Sequence, residues 1–325
     1  MSTNHASLEL HSLTSSVSDS PYELNEQQKK AQQLYKSGLF GAVNSQKAYQ
    51  SDLNQYLAWY NAKGYEDLPS TPQALAEYIA ELIPDKGYFT LQRRLATIAK
   101  YHRIHNLPSP TTHEQFKIFM KGVRKEKTIR QNQASAFTLD EFRNAVDGQP
   151  MTPTGLRNRL LLLIGFTGAF RRQELVDVNV ENLDIRTDGI LIRIDQSKTN
   201  QDGAEEAKFI AKAKKEAYCP LRTLHQWLTF IGRTEGPLFV RVRKGEQPTL
   251  ERLSDDYVNL LTKASLGKQH TAHSMRASFV TISKDAGVDN RKIQNQTKHK
   301  TTQMIDRYDR RRDVIYQNAS TELDL

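Results

Sequence analysis

Apolar residues recur at helical spacing through the first 130 residues of the chain. One predicted helix opens near Asn44 and ends before Gly64. Prolines at positions 69, 72, 84, 108 and 110 divide the remainder into short helices, and no segment alternates with period two over the length of a strand. We therefore expect residues 23–127 to form an all-α domain, a bundle of four or five helices.

The predicted helix from Thr90 to Arg103 has two faces of opposite character. Its apolar face carries Leu91, Leu95, Ile98 and His102. Its opposite face carries Arg93, Thr97, Lys100 and Arg103. A solvated polar face explains this pattern, and so does a face that contacts DNA, where Arg and Lys meet phosphates and base edges. The basic segment that follows adds Lys121 and Arg124 as candidate DNA-contacting residues.

The pattern becomes mixed after a basic and polar segment, residues 128–137, which we interpret as a linker. Thr138 opens a capped helix that begins the second domain, residues 138–325. The apolar stretch from Arg157 to Phe166 predicts a buried helix at the centre of that domain, and the alternating isoleucines 190, 192 and 194 predict a strand. A second strand follows near Phe209, and helical patterns resume at Leu221 and continue to the end. The predicted fold is mainly α with a small antiparallel β element.

Composition narrows the class of protein. The chain has 46 Lys and Arg residues against 37 Asp and Glu, a formal net charge of +9, which favours nucleic acid as a partner over an anionic membrane. The single cysteine, Cys219, excludes an internal disulfide and a Cys-based zinc cluster, and fits a reducing, cytoplasmic location. No run approaches the 18 apolar residues of a membrane span. Residues 1–22 lack the apolar core of a signal peptide and are interpreted as a disordered leader.

Several chemistries lack their motifs. The sequence contains neither a GxxxxGK[ST] nor a GxGxxG phosphate-binding loop, and no HExxH metal pair. Carboxylate clusters that would hold magnesium are also missing. We therefore expect no cofactor, and DNA chemistry would have to use cationic side chains to neutralise the charge on phosphorus.

Such side chains occur in a recognisable order. Arg171 follows the apolar helix, and Lys198 lies in the predicted hairpin loop. His273 and Arg276 stand three residues apart at the start of a helix, and are followed by His299 and, nine residues later, by Tyr308. This order resembles that of the tyrosine recombinase (phage integrase) family, namely Arg, Lys, His-x-x-Arg, His or Trp, then Tyr. The resemblance covers most of the chain and is to the Cre and Xer type of recombinase.

The resemblance implies a core-binding domain in the first half and a catalytic domain in the second. It implies Tyr308 as the nucleophile that forms a covalent 3′-phosphotyrosine, with Arg171, Lys198, His273, Arg276 and His299 as the other catalytic residues. It further implies four protomers on two double-stranded DNA sites with inverted half-sites, associated with the nucleoid in a prokaryote. A C-terminal tail would be exchanged between protomers, although docking on its own domain is the alternative.

Each residue of this set also has an ordinary explanation. Arg171 could pair only with Glu174, and Lys198 alone would be a solvated turn residue, so the prediction depends on the conjunction. The family usually has Gly before its second histidine, whereas this chain has Lys298, which makes His299 the least secure member. Two other functions stay open: a type IB topoisomerase, which uses nearly the same residues, and a non-catalytic DNA-binding regulator with the same fold.

Overall fold

The structure is a computed structural model in which the chain forms two compact units, Met1–Gln131 and Asn132–Leu325. It describes residues 25–40, 43–65, 68–127, 134–194, 206–299, 301–302 and 305. Lys198, Tyr308, the predicted leader and the predicted exchange tail lie outside the described residues.

The described part of the first unit is built from α-helices and one short 3-10 turn. The helices are α1 (Glu26–Phe40), α2 (Val43–Ala62), α3 (Pro72–Leu82), α4 (Tyr88–Ile104) and α5 (Glu114–Glu126). Their core consists of aliphatic and aromatic residues from α2 to α5, with Tyr56 and Tyr78 in edge-to-face contact at its centre. The all-α prediction for this half is confirmed.

The described part of the second unit combines helices with two small antiparallel sheets. Its helices are α6 (Leu139–Asp147), α7 (Pro153–Thr167), α8 (Arg172–Asp177), α9 (Pro220–Ile231), α10 (Asp255–Leu266), α11 (Ala272–Asp285) and α12 (Asn290–Thr297). The strands β1 (Leu183–Ile185), β2 (Gly189–Ile194) and β3 (Glu206–Ala211) form one sheet, and β4 (Val240–Arg243) pairs with β5 (Gln247–Arg252). The predicted fold class, mainly α with a small antiparallel β element, is confirmed.

Helix α7 is the centre of the second core. Residues 160–164 are all buried, and the helix packs against α9 and α11 in the core of the second unit. The helix begins at Thr152, whose hydroxyl accepts a hydrogen bond from Gly155 N (3.2 Å), with Pro153 at its first position. It ends at Gly168, directly before the loop that carries Arg171.

Two expectations for the second half were wrong. The helical pattern does not run unbroken from Leu221, because β4 and β5 intervene; Val240 and Val242 alternate with arginines, and Gly245 turns the chain with φ of 93°. The predicted linker also extends too far. Phe137 is buried in the core of the second unit, and its N–H donates to Ser278 Oγ (2.8 Å).

No helix among the described residues is long and apolar enough to span a membrane.

Candidate active site

The loop between α7 and α8 has a conformation that its residues dictate. A Cβ at Gly168 would lie 2.4 Å from the ring of Phe170, so only glycine fits at that position. Ala169 follows in the left-handed region with φ of 45° and reverses the chain. Arg171 then occupies the N-cap position of α8. The loop thus places Arg171 directly after a tight and heavily restricted turn.

Glu174 holds Arg171 at both its backbone and its side chain. Arg171 N–H donates to Glu174 Oε2 (3.1 Å), and the guanidinium Nη1 donates to Oε1. The nearby charges of Lys208 and Arg171 leave the pKa of Glu174 below its ordinary value although burial acts to raise it. The neighbouring Arg172 is engaged elsewhere, in ion pairs with Asp255 and Asp256 of α10.

Helix α11 contributes His273 and Arg276. Arg276 is buried, with 2% of its surface exposed, and its Nη1 donates to the carbonyl oxygen of Ala169 (2.8 Å). His273 lies on the exposed part of the same helix, where partial desolvation and the positive charges of Arg276 and Arg171 lower its pKa. Arg276 is therefore attached to the loop that carries Arg171, and both charges act on His273.

His299 follows α12 and faces the same charges. Its Nδ1 lies 3.0 Å from Thr297 Oγ1, and its ring is buried. Burial first, then the charges of Arg276 and Arg171, lower its pKa to about 3, so this imidazole is neutral at physiological pH. The preceding Lys298 has φ of 54° and ψ of 41°, the left-handed conformation that glycine adopts most readily.

The structure thus brings together four of the six residues that the sequence predicts as catalytic: Arg171, His273, Arg276 and His299. Lys198 and Tyr308 lie outside the described residues.

Sequence reasoning missed Lys208, which belongs to this cluster. Its Nζ donates to Gly168 O (2.9 Å) and Ala169 O (3.1 Å), and lies 3.7 Å from Glu174 Oε2 and 4.4 Å from the centre of the Phe170 ring. The signal was present, because alternation along β3 places Lys208 on the same face as the buried Ile210.

Gln296 of α12 is a second residue near the site that the sequence analysis did not identify. Its Nε2 donates to Thr167 O (2.8 Å) and to Phe209 O (3.0 Å), so one amide joins the end of α7 to β3. This bond fixes α12, and with it the start of the turn to His299, against the same loop.

The predicted DNA-contacting residues of α4 are not equivalent. Arg93 and Arg103 are exposed, Arg93 also pairs with Asp52 (2.8 Å), and Lys100 lies over the Tyr49 ring (5.4 Å). The prediction that Thr97 contacts DNA is wrong, because only 4% of the residue is exposed and its hydroxyl donates to Arg93 O (3.1 Å). It lies on the buried side of the helix and not on the cationic face.

Helix α5 carries the other two candidate residues on its exposed side. Lys121 and Arg124 line an open groove of about 390 Å³ between α4 and α5, together with Lys117 and Gln92. The groove therefore has a cationic wall, as a phosphate backbone would require.

Comparison with known proteins places this cluster in context. The sequence model of the phage integrase family matches residues 127–313, more than half of the chain. A relative from Selenomonas ruminantium, named integrase/recombinase xerD homolog, is 30% identical over 290 residues, which are 86% of this chain and 84% of the relative. The chain belongs to the phage integrase family. It is accordingly a tyrosine-type site-specific recombinase, of the same kind as Cre and Xer.

Other members of the phage integrase family agree in sequence or fold. Recombinase cre of Escherichia phage P1 is 27% identical over 203 residues, 58% of this chain and 56% of that protein. A crystal structure of XerH site-specific recombinase bound to palindromic difH substrate, a post-cleavage complex, has a TM-score of 0.65 at 15% identity and covers 95% of this chain and 92% of that chain. The likeness to XerH shows the shared fold.

Proposed function

We propose that this recombinase cleaves and rejoins double-stranded DNA through a covalent 3′-phosphotyrosine on Tyr308, without metal or ATP. The observation that carries the proposal is the pair of guanidinium groups of Arg171 and Arg276, which are attached to one restricted loop beside two histidines of lowered pKa. Guanidinium groups stay charged at any relevant pH and offer forked donors to the non-bridging oxygens of a phosphodiester.

The two histidines would have different roles, His273 as proton acceptor and His299 as a hydrogen-bond donor to the phosphoryl group. A phenol with a pKa near ~10 costs roughly 4 kcal/mol to ionise at pH 7, so Tyr308 needs a proton acceptor or strong cationic help. The lowered pKa of His273 leaves it neutral near pH 7 and able to accept that proton. His299, also neutral, lies near the same cations, where its ring would donate a hydrogen bond to the phosphoryl group.

The step balances as a transesterification. The phenol oxygen of Tyr308 attacks phosphorus, its proton passes to His273, and the bond to the 5′ oxygen breaks. Lys198 protonates the departing 5′ oxygen, because an ammonium can release its proton whereas a guanidinium practically cannot. The phosphotyrosyl bond keeps the energy of the phosphodiester, so religation to another 5′-hydroxyl needs no ATP. Recombination then requires a homotetramer on two sites with inverted half-sites.

Covalent trapping tests the nucleophile. Duplex DNA that binds the protein would be selected from a random library and incubated with it, and adducts would be resolved after denaturation. We expect an adduct with the wild type and none with Tyr308→Phe, at unchanged DNA affinity. Tyr316→Phe is the matched control and should form the adduct.

Each other outcome of this trapping experiment points to a different function. An adduct in Tyr308→Phe would move the nucleophile, with Tyr316 the first suspect. No adduct in the wild type would favour a DNA-binding regulator. Efficient relaxation of a supercoiled plasmid that lacks the selected site would favour a topoisomerase.

A sulfur-substituted substrate tests Lys198. We expect Lys198→Ala to cleave ordinary DNA at least 100-fold more slowly, and to recover when the 5′-bridging oxygen is sulfur, because a thiolate leaves without a proton. Equal impairment on both substrates would mean that Lys198 positions the phosphate and does not supply the proton.

A further inference from the structure

Lys208 is a buried lysine in the middle of the candidate site. Only 2% of the residue is exposed, so its ammonium does not reach the surface where DNA would bind. Its Nζ nevertheless has a full set of neighbours: the carbonyl oxygens of Gly168 and Ala169 at 2.9 and 3.1 Å, and the carboxylate of Glu174 at 3.7 Å.

Stability does not explain an ammonium at this position. Burying a charge is costly, and apolar replacements of buried ion pairs are often neutral or stabilising. Burial lowers the pKa of Lys208 and the Glu174 carboxylate acts to raise it, so the ion pair with Glu174 offsets only part of the cost of burying this ammonium. A role for Lys208 must therefore be sought in the groups that its ammonium contacts and not in a contribution to stability.

Those contacts lead to both arginines of the site. Ala169 O accepts from Lys208 Nζ and from Arg276 Nη1 (2.8 Å), so one carbonyl oxygen is shared by the two cations. On the other side, Glu174 pairs with Lys208 and with Arg171. Lys208 thus contacts both the carbonyl oxygen that binds Arg276 and the carboxylate that binds Arg171.

We propose that Lys208 is a positioning residue for strand cleavage: it fixes the loop oxygen that anchors Arg276, and it shares the charge of Glu174 so that Arg171 can bind the phosphate of DNA. Without the Lys208 ammonium, the buried Glu174 carboxylate would be balanced by Arg171 alone and would hold its guanidinium back from the phosphate. This inference rests on the proposed function, and it assigns Lys208 a role different from that of Lys198.

The first test is Lys208→Met, which keeps the length of the side chain and removes its charge. We expect single-turnover adduct formation at saturating DNA to slow by about 100-fold, the effect of displacing catalytic groups by about 1 Å, with the Kd for DNA changed by less than about 3-fold. Ile192→Val is the matched control, because Ile192 is the cross-strand partner of Lys208, belongs to the buried core and carries no charge. It should cleave at the wild-type rate.

The second test is Glu174→Gln added to Lys208→Met. The neutral amide can still accept from Arg171 but no longer retains it by charge, so the double variant should cleave at least 10-fold faster than Lys208→Met. A purely structural role predicts no such recovery. The comparison also serves if Lys208→Met folds poorly, because the double variant leaves no buried charge at position 174 without its partner at position 208. It is then compared with Glu174→Gln alone and should be slower through loss of the Arg276 anchor.

The sulfur-substituted substrate separates the two lysines. It should restore Lys198→Ala and leave Lys208→Met slow. Wild-type cleavage by Lys208→Met, restoration of Lys208→Met by sulfur, or no gain from Glu174→Gln would each overturn the inference. A wild-type protein that forms no adduct at all would instead overturn the proposed function on which the inference rests. The two failures are distinguishable, because this one is seen in the wild type before any Lys208 variant is measured.

Discussion

Lys298 occupies a backbone position suited to glycine, and replacing it should stabilise the protein. Its φ of 54° and ψ of 41° end α12 in the left-handed conformation, where the Cβ of an L-residue crowds the following carbonyl oxygen. Among the residues that the structure describes, the Lys298 side chain makes one polar contact, from Nζ to Asn295 Oδ1 (3.1 Å), on the exposed side of the helix. Exposed contacts of this kind contribute little, so the backbone term decides the sign.

The magnitude follows from two opposing terms. Relief of the left-handed strain is worth about 1–2 kcal/mol, and the greater entropy of glycine in the unfolded chain offsets about 0.5–1 kcal/mol of it. Lys298→Gly should therefore raise the free energy of unfolding of the second unit by about 0.5–1 kcal/mol. Lys298→Ala is the control, since it removes the Nζ contact but keeps the Cβ, and should not stabilise.

The two tryptophans allow each unit to be followed separately. Trp227 is buried in the second unit, where its Nε1 donates to Leu238 O (2.8 Å), and Trp59 lies in the first. In a Trp59→Phe background, urea unfolding followed by Trp227 fluorescence reports on the second unit. Lys298→Gly that is less stable than wild type, or a gain of equal size in Lys298→Ala, would refute the argument from backbone strain.

Two further predictions concern pH and DNA. Because the pKa of folded His299 is about 3 and that of an unfolded histidine is near 6.5, the unfolded state takes up a proton that the folded state refuses as pH falls below about 6.5. This should cost about 2 kcal/mol of stability at pH 5 relative to pH 8, and His299→Gln should lose that part of the pH dependence in urea unfolding; an unchanged dependence would contradict the burial argument. Arg103→Ala should weaken DNA binding and reduce the slope of log binding constant against log salt concentration by about one unit, whereas Thr97→Ala, at a buried position, should leave that slope unchanged. Equal slopes in the two variants would mean that Arg103 is solvated and does not contact DNA.

Periodicity predicted the helices because burial on one face repeats at helical spacing, but it misplaced Thr97. Helix α4 buries Arg94 as well as its apolar stripe, since Arg94 donates to Tyr78 Oη (2.6 Å) and Gln55 Oε1 (2.6 Å). The buried face is therefore wider than the apolar residues alone indicate, and Thr97 falls within it beside Ile98. A pattern that counts arginine as exposed cannot find this.

The arginines and histidines that the structure brings together could be predicted as one candidate site because their order and spacing along the chain are distinctive. Alternation along β3 could have shown that Lys208 is buried, but not what it contacts, because its partners Gly168 and Ala169 lie some 40 positions away. Likewise the short strand β4 carries an alternation of only two valines, Val240 and Val242, which is too brief to distinguish from a helical segment.

The cluster around the Arg171 loop concentrates cations that repel one another. Burial lowers the pKa of His299 most, and the charges of Arg276 and Arg171 lower it further, as expected where cations lie close together. Glu174 offsets part of this repulsion from inside the protein. Under the proposed mechanism, a DNA phosphate would offset more of it from outside. The free site would then store unfavourable electrostatic energy that phosphate binding releases, and more would be released as charge develops on the phosphate oxygens during attack. On this view Glu174 must be balanced by Lys208: a carboxylate that neutralised Arg171 completely would relax the free site and remove the energy that favours the transition state.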